Sequence, residues 1–194
     1  MQRHELEHII RAAAAITQEY DIVVVGSQSI LGQFPDAPSE LLQSREADVY
    51  PLHYSEKKSD LIDGTIGEGS PFEEIYGYYA QGVGPETALL PQGWRDRLVK
   101  VQSQNTDLKI GWCLEPHDLA ASKLAAAREK DHEFVAALLR HGLVEKAEVE
   151  KRIQTMPVTQ ADKHRMTAML TRLARETGNR IEAPGAQAKT PPES

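Results

Sequence analysis

Residues 21–27 read DIVVVGS, and no other stretch constrains the fold as strongly. Ile22 to Val25 form an almost uninterrupted β-branched run, the signature of a strand buried in the core. Gly26-Ser27 ends that strand, and SQSILGQF is expected to start a short helix with Ser27 near its N-terminus. A turn of this kind offers backbone N–H groups and a hydroxyl beside a helix start, which suits a phosphate.

After a loop and a helical turn, EADVYPLHY is expected to form a second strand. Side chains alternate along a strand, so Glu46, Asp48 and Tyr50 share one face and Ala47 and Val49 the other. Two carboxylates at i and i+2 stand about 7 Å apart at their Cα atoms, close enough to share a hard cation or straddle two ions on a triphosphate. The same residues also describe a solvated sheet face, with Asp48 paired to Arg45 or Lys57, and Gly-Ser is a common turn.

Around these strands the pattern is mixed. Residues 2–19 carry Leu6, Ile9, Ile10, Ala13 and Ile16 along one helical face. KKSDLIDGTIG is expected to be helical, and SPFEEIYG a turn of helix capped by Ser70 with Glu73 completing a capping box. Short strands and tight turns are expected over residues 78–94, then strands at RLVKVQS and LKIGWCL joined by QNTD. From Pro116 the chain is helical to Gly142, with a break near Lys130-Asp131. Two more helices follow, the second opened by Thr159 and closed by Gly178. The fold class is therefore α+β: a small mixed sheet flanked by helices, then a helical C-terminal half. The expected division is an α/β core over 1–114, a helical region packed on it over 115–178, and a disordered tail over 179–194, which is poor in apolar residues.

Charge narrows the partners. A net charge of −7 is unlike a protein that lives on nonspecific phosphate contacts, but an acidic chain can hold a nucleotide through a metal ion. Cys113 is the only cysteine, so no internal disulfide forms. No apolar run approaches the roughly 18 residues of a membrane span, and the N-terminus has no signal-peptide core. The expectation is a cytoplasmic protein without membrane contact. The seven histidines show no HExxH or paired His/Cys spacing, which argues against zinc, and Cys113 is expected in the core. Tyr76, Tyr78, Tyr79 and Trp94 could stack on a base or simply pack a small sheet.

An apolar strand, Gly-Ser, a spacer and an acid-x-acid strand together resemble the nucleotidyltransferase fold of the polymerase-beta superfamily. CLEPHDLAASKLAAAREKDHEFVAALL (Cys113 to Leu139) looks like the helical segment of AbiEii-type toxin nucleotidyltransferases and their uncharacterised relatives. In those proteins a Lys, then an Arg and an Asp, follow the acidic strand; the matching positions are Lys123, Arg128 and Asp131. The resemblance spans roughly residues 20 to 142. It implies transfer of a nucleoside monophosphate from an NTP to an RNA, protein or small-molecule acceptor. Gly26 and Ser27 would hold the triphosphate with Lys123 and Arg128, and Glu46 and Asp48 would bind Mg2+ (or Mn2+). Asp131 would position a cation or act on the acceptor. A toxin partnered by an antitoxin is one setting for such an enzyme.

Three departures stand out. The first acid is Glu, the spacer from Ser27 to Glu46 is long, and neither strand over 97–114 carries an internal third carboxylate; Asp107 sits in a turn between them. A non-catalytic relative, serving as a nucleotide-binding or protein-interaction module, is the alternative. A third reading is an antitoxin-like binding protein that uses residues 143–178. Lys123 could also be a solvated or snorkelling side chain, and Arg128 with Asp131 a surface ion pair.

Overall fold

The structure, a computed structural model, describes residues 1–181. Helix α1 (Arg3–Thr17) buries Leu6, Ile9, Ile10 and Ala13, the stripe its 3.6-residue period predicts, and ends at Gln18 in a left-handed conformation. Strand β1 (Asp21–Val25) follows, then 3-10 turns at Ser27–Gly32 and Ser39–Leu41 in place of the expected short helix. Strand β2 (Glu46–Pro51) leads to helices α2 (Glu56–Ile66) and α3 (Pro71–Tyr76). Ser70 caps α3, but the Glu73 carboxylate accepts from the Gly69 amide rather than closing a box on Ser70.

The glycine-rich middle contributes one strand, β3 (Tyr79–Gly82), and two 3-10 turns at Pro85–Thr87 and Trp94–Arg97. Strands β4 (Val99–Val101) and β5 (Ile110–Cys113) precede helices α4 (Pro116–Ala126), α5 (Glu129–Arg140), α6 (Lys146–Gln154) and α7 (Gln160–Ile181). The last helix runs past Gly178, where it was expected to close, and the expected tail lies from residue 182 onward outside the described residues. Among the described residues no helix is long and apolar enough to cross a membrane.

The five strands form one mixed sheet in the order β3-β2-β1-β5-β4. β1 is central, antiparallel to β2 and parallel to β5, which explains why its β-branched run has no polar break: Ile22 to Val25 are all buried. The α+β class is as the sequence implies.

Alternation then sorts β2 and β3 into two faces. Ala47, Val49 and Ala80 are fully buried, and a Cβ on Gly82 would meet the Ser59 carbonyl oxygen at 2.2 Å, so α2 lies directly on this face. Glu46, Asp48, Tyr79 and Gln81 point the other way.

The helical half docks through α4 on the Ser27–Gly32 turn and α5 on the Ser39–Leu41 turn. A buried ion cluster pins the junction. The Asp118 carboxylate, fully buried, accepts from Arg97 Nε and Nη2 at 2.8 and 2.9 Å and lies 3.0 Å from Arg152 Nε on α6.

Helix 116–142 breaks earlier than expected. Ala127 adopts a left-handed conformation, its amide bonding to the Lys123 carbonyl, and Arg128 is extended before α5 begins.

Candidate active site

The chain leaves β1 at Gly26 with φ 70° and ψ −170°, a region open essentially to glycine alone. A Cβ here would lie 2.0 Å from Asp48 Oδ2, so only glycine lets the turn and the β2 carboxylate approach so closely. Ser29 holds the turn by donating from both its amide and its hydroxyl to the Gly26 carbonyl. Ser27 is left facing the cleft.

On β2, Asp48 is half-buried beside Glu46. Burial, then the neighbouring Glu46 carboxylate through hydrogen bonding and charge, pushes Asp48 up to about 7; Lys123 and Arg128 pull against that rise. The alternative reading, a surface pair of Asp48 with Arg45 or Lys57, does not form among the described residues, and Arg45 bonds Glu73 at 3.1 Å.

Opposite the acids stand α4 and α5. Asp131 is 1% exposed and takes Lys123 Nζ at 3.0 Å and Arg128 Nε at 2.6 Å. Burial alone would raise the Asp131 carboxyl, but the hydrogen bonds and charges of Arg128 and Lys123 outweigh it and hold it below its ordinary value. The Arg128–Asp131 pair has one buried end and one exposed end: the carboxylate is buried while the Arg128 side chain is 58% exposed. The Lys123–Asp131 pair bridges the α4–α5 break, and Asp131 ties two cations together rather than standing free. Lys123 also lies 5.5 Å from the Phe134 ring centre.

These groups line one cleft of about 1310 Å3: Ser27 from the turn, Glu46 and Asp48 from β2, Gln81 from β3, and Lys123, Arg128 and Asp131 from the helices. Its far wall includes Phe134 and Arg140 of α5 and Arg172 of α7.

Gln81 is the residue that sequence reasoning missed, and Tyr79, singled out there for base stacking or sheet packing, instead bonds Glu46. Strands β4 and β5, where the sequence points for a third acid, lie beyond β1, away from β2. The true neighbour is β3, parallel to β2, with Tyr79 opposite Glu46 and Gln81 opposite Asp48. The position beside Asp48 thus carries an amide. Asp107 sits in the β4–β5 turn at φ 52° and does not line the cleft. The Tyr79 hydroxyl donates to Glu46 Oε2 at 3.1 Å. Only the strand pairing reveals this, and β3 is too short and glycine-rich to advertise itself.

The other aromatics pack elsewhere. Tyr76 and Tyr78 cluster with His8 and Phe72 at ring separations of 4.7 to 6.0 Å, and Trp94 lies under Arg95. Cys113 is in the core as expected, its thiol pushed up to about 12 by burial.

Among the described residues no group of three or more His, Cys, Asp or Glu side chains is placed to hold a metal. Glu46 and Asp48 nonetheless fit Mg2+ or Mn2+. They are two hard oxygen donors from one rigid strand, and Mg2+ commonly takes one or two carboxylates and completes its shell with water and substrate phosphates.

A glycine-ended strand, an acidic neighbour and a facing cation meet in one cleft, which is the layout of a nucleotidyltransferase fold. Residues 4–177 match the family described as "Nucleotidyltransferase of unknown function (DUF6036)", and the chain belongs to that family. The match takes in both the sheet and the helical half. No curated protein and no solved structure matches the chain.

Proposed function

We propose that the protein moves a nucleoside monophosphate from an NTP to an acceptor, with the triphosphate lying between β2 and the α4–α5 break. The observation that carries this reading is the close approach of Gly26 to Asp48, which puts the turn beside the acidic pair. Ser27 and the turn would hold phosphate oxygens, and Lys123 and Arg128 would neutralise phosphate charge from the opposite wall. Asp131 would act through those two cations, fixing their positions before substrate arrives. Glu46 and Asp48 would hold Mg2+ or Mn2+, which supplies charge stabilisation at the phosphates when bound.

The acceptor is an RNA, a protein or a small molecule, and a toxin restrained by an antitoxin is one setting. Each α-labelled NTP, incubated with Mg2+ and separate RNA, protein and metabolite fractions, tests the reading. Label should enter one fraction with the unsubstituted chain and none with Asp48→Ala. Saturable NTP binding without transfer to any fraction would leave a binding module instead, the reading that Gln81 in place of a third acid favours.

A further inference from the structure

Glu46 sits where a shorter acid would need less restraint, since each added torsion costs more to order. Its carboxylate must be held if it is to serve one position in the cleft. Strand β3 provides the means. The strand is fixed at its start by the Tyr79 amide donating to the Arg45 carbonyl at 3.0 Å. It is fixed at its end by the Gly82 amide donating to Asp63 Oδ1 at 2.7 Å. Helix α2 lies against it so tightly that Gly82 has no room for a side chain. The Tyr79 ring therefore rises from a rigid base, in parallel register with Glu46, and its hydroxyl reaches Glu46 Oε2.

We infer that Tyr79 is a positioning residue for the metal site: its hydroxyl occupies Glu46 Oε2, fixes the carboxylate rotamer, and leaves Oε1 to face the cation beside Asp48. This deepens the reading above and rests on the metal-holding role proposed there for Glu46. A phenol hydroxyl keeps its proton throughout the neutral range, so it can serve Glu46 as a donor there. Outer partners that orient a ligating carboxylate are typically worth 10- to 100-fold in metal affinity.

The test is Mn2+ binding to the full chain, followed by electron paramagnetic resonance with and without a non-hydrolysable NTP. Tyr79→Phe keeps the ring and its packing, and circular dichroism checks the fold. The expected result is an affinity about tenfold weaker or worse in Tyr79→Phe, with no further loss when the same change is made in a Glu46→Gln background. Tyr78→Phe is the control, because it removes a hydroxyl that bonds His8 at 2.8 Å away from the cleft and should leave Mn2+ affinity unchanged. Mn2+ affinity within twofold of the unsubstituted chain in Tyr79→Phe, while Asp48→Ala abolishes binding, overturns the positioning role and leaves the functional reading intact. Absence of Mn2+ binding to the unsubstituted chain under both conditions overturns the functional reading and this inference with it.

Discussion

Gly26→Ala separates two costs that the structure places at one atom. The first belongs to the backbone. At φ 70° and ψ −170° a residue with a side chain is strained by about 1–3 kcal/mol whatever surrounds it. The second is a collision, because the new methyl would sit 2.0 Å from Asp48 Oδ2 and 3.0 Å from its Cγ. Forcing extra volume into such a contact costs about 1–3 kcal/mol more. In an Asp48→Ala background both of those atoms are gone, and the nearest remaining atom of residue 48, its Cβ, lies at an ordinary 3.4 Å. Gly26→Ala should therefore lose about 2–6 kcal/mol in the parent but only about 1–3 kcal/mol in the Asp48→Ala background, a coupling of about 1–3 kcal/mol. Urea denaturation of the four proteins in chelator, followed by circular dichroism, measures the cycle. Equal losses in the two backgrounds would refute the close approach of the turn to Asp48, and with it the observation that carries the proposed function.

Three further outcomes are expected. Without metal, Asp48 holds a proton in the folded state between about pH 4 and 7 that the unfolded chain has released, so stability should fall as pH rises through that window. At about 1.4 kcal/mol per tenfold in proton affinity, the acidic pair is strained by at most about 4 kcal/mol at neutral pH. Asp48→Asn should flatten the slope of melting temperature against pH in chelator and raise the melting temperature near pH 7; an unchanged slope would contradict the burial of Asp48 beside Glu46. Asp118→Ala leaves Arg97 and Arg152, both only partly exposed, without their shared partner and should cost up to about 3–5 kcal/mol in urea, whereas a loss under about 1 kcal/mol would mean the cluster does not pin the junction. Cys113 should react with a thiol reagent only as fast as the chain unfolds, and prompt labelling of the native protein would contradict its burial.

Sequence legibility followed the range of the interaction that decided each element. β1 was plain because a central strand covered on both faces leaves an unbroken β-branched run, and β2 because two acids one residue apart must share a face. β3 was not. Its placement beside β2 rests on pairing across more than thirty positions, as the Tyr79 bond to Glu46 does, so Gln81 could not be recognised as the neighbour of Asp48. The strand beside β2 is hidden from chain order for the same reason, because the sheet runs β3-β2-β1-β5-β4.

The break between α4 and α5 shows the other limit. Helices usually stop at a residue that announces itself, a glycine or asparagine able to turn left-handed. Here the left-handed residue is Ala127, in a run of alanines that favours helix. The local preference is overruled by Asp131, a buried carboxylate that needs both Lys123 and Arg128 as partners. A continuous helix would set Lys123 and Asp131 two turns apart, about 12 Å along the axis, whereas the break brings them to 3.0 Å. An unpaired carboxylate at 1% exposure would be far costlier than one alanine outside its preferred conformation. The ion pair thus sets the backbone, and the same bend that pairs Asp131 turns Lys123 and Arg128 toward the acids of β2. Asp131→Asn should weaken the restraint on both cations and lower NTP affinity, even though residue 131 would touch no phosphate. Isothermal titration with a non-hydrolysable NTP would measure that loss, and an affinity equal to that of the unsubstituted chain would show that Lys123 and Arg128 hold their places without it.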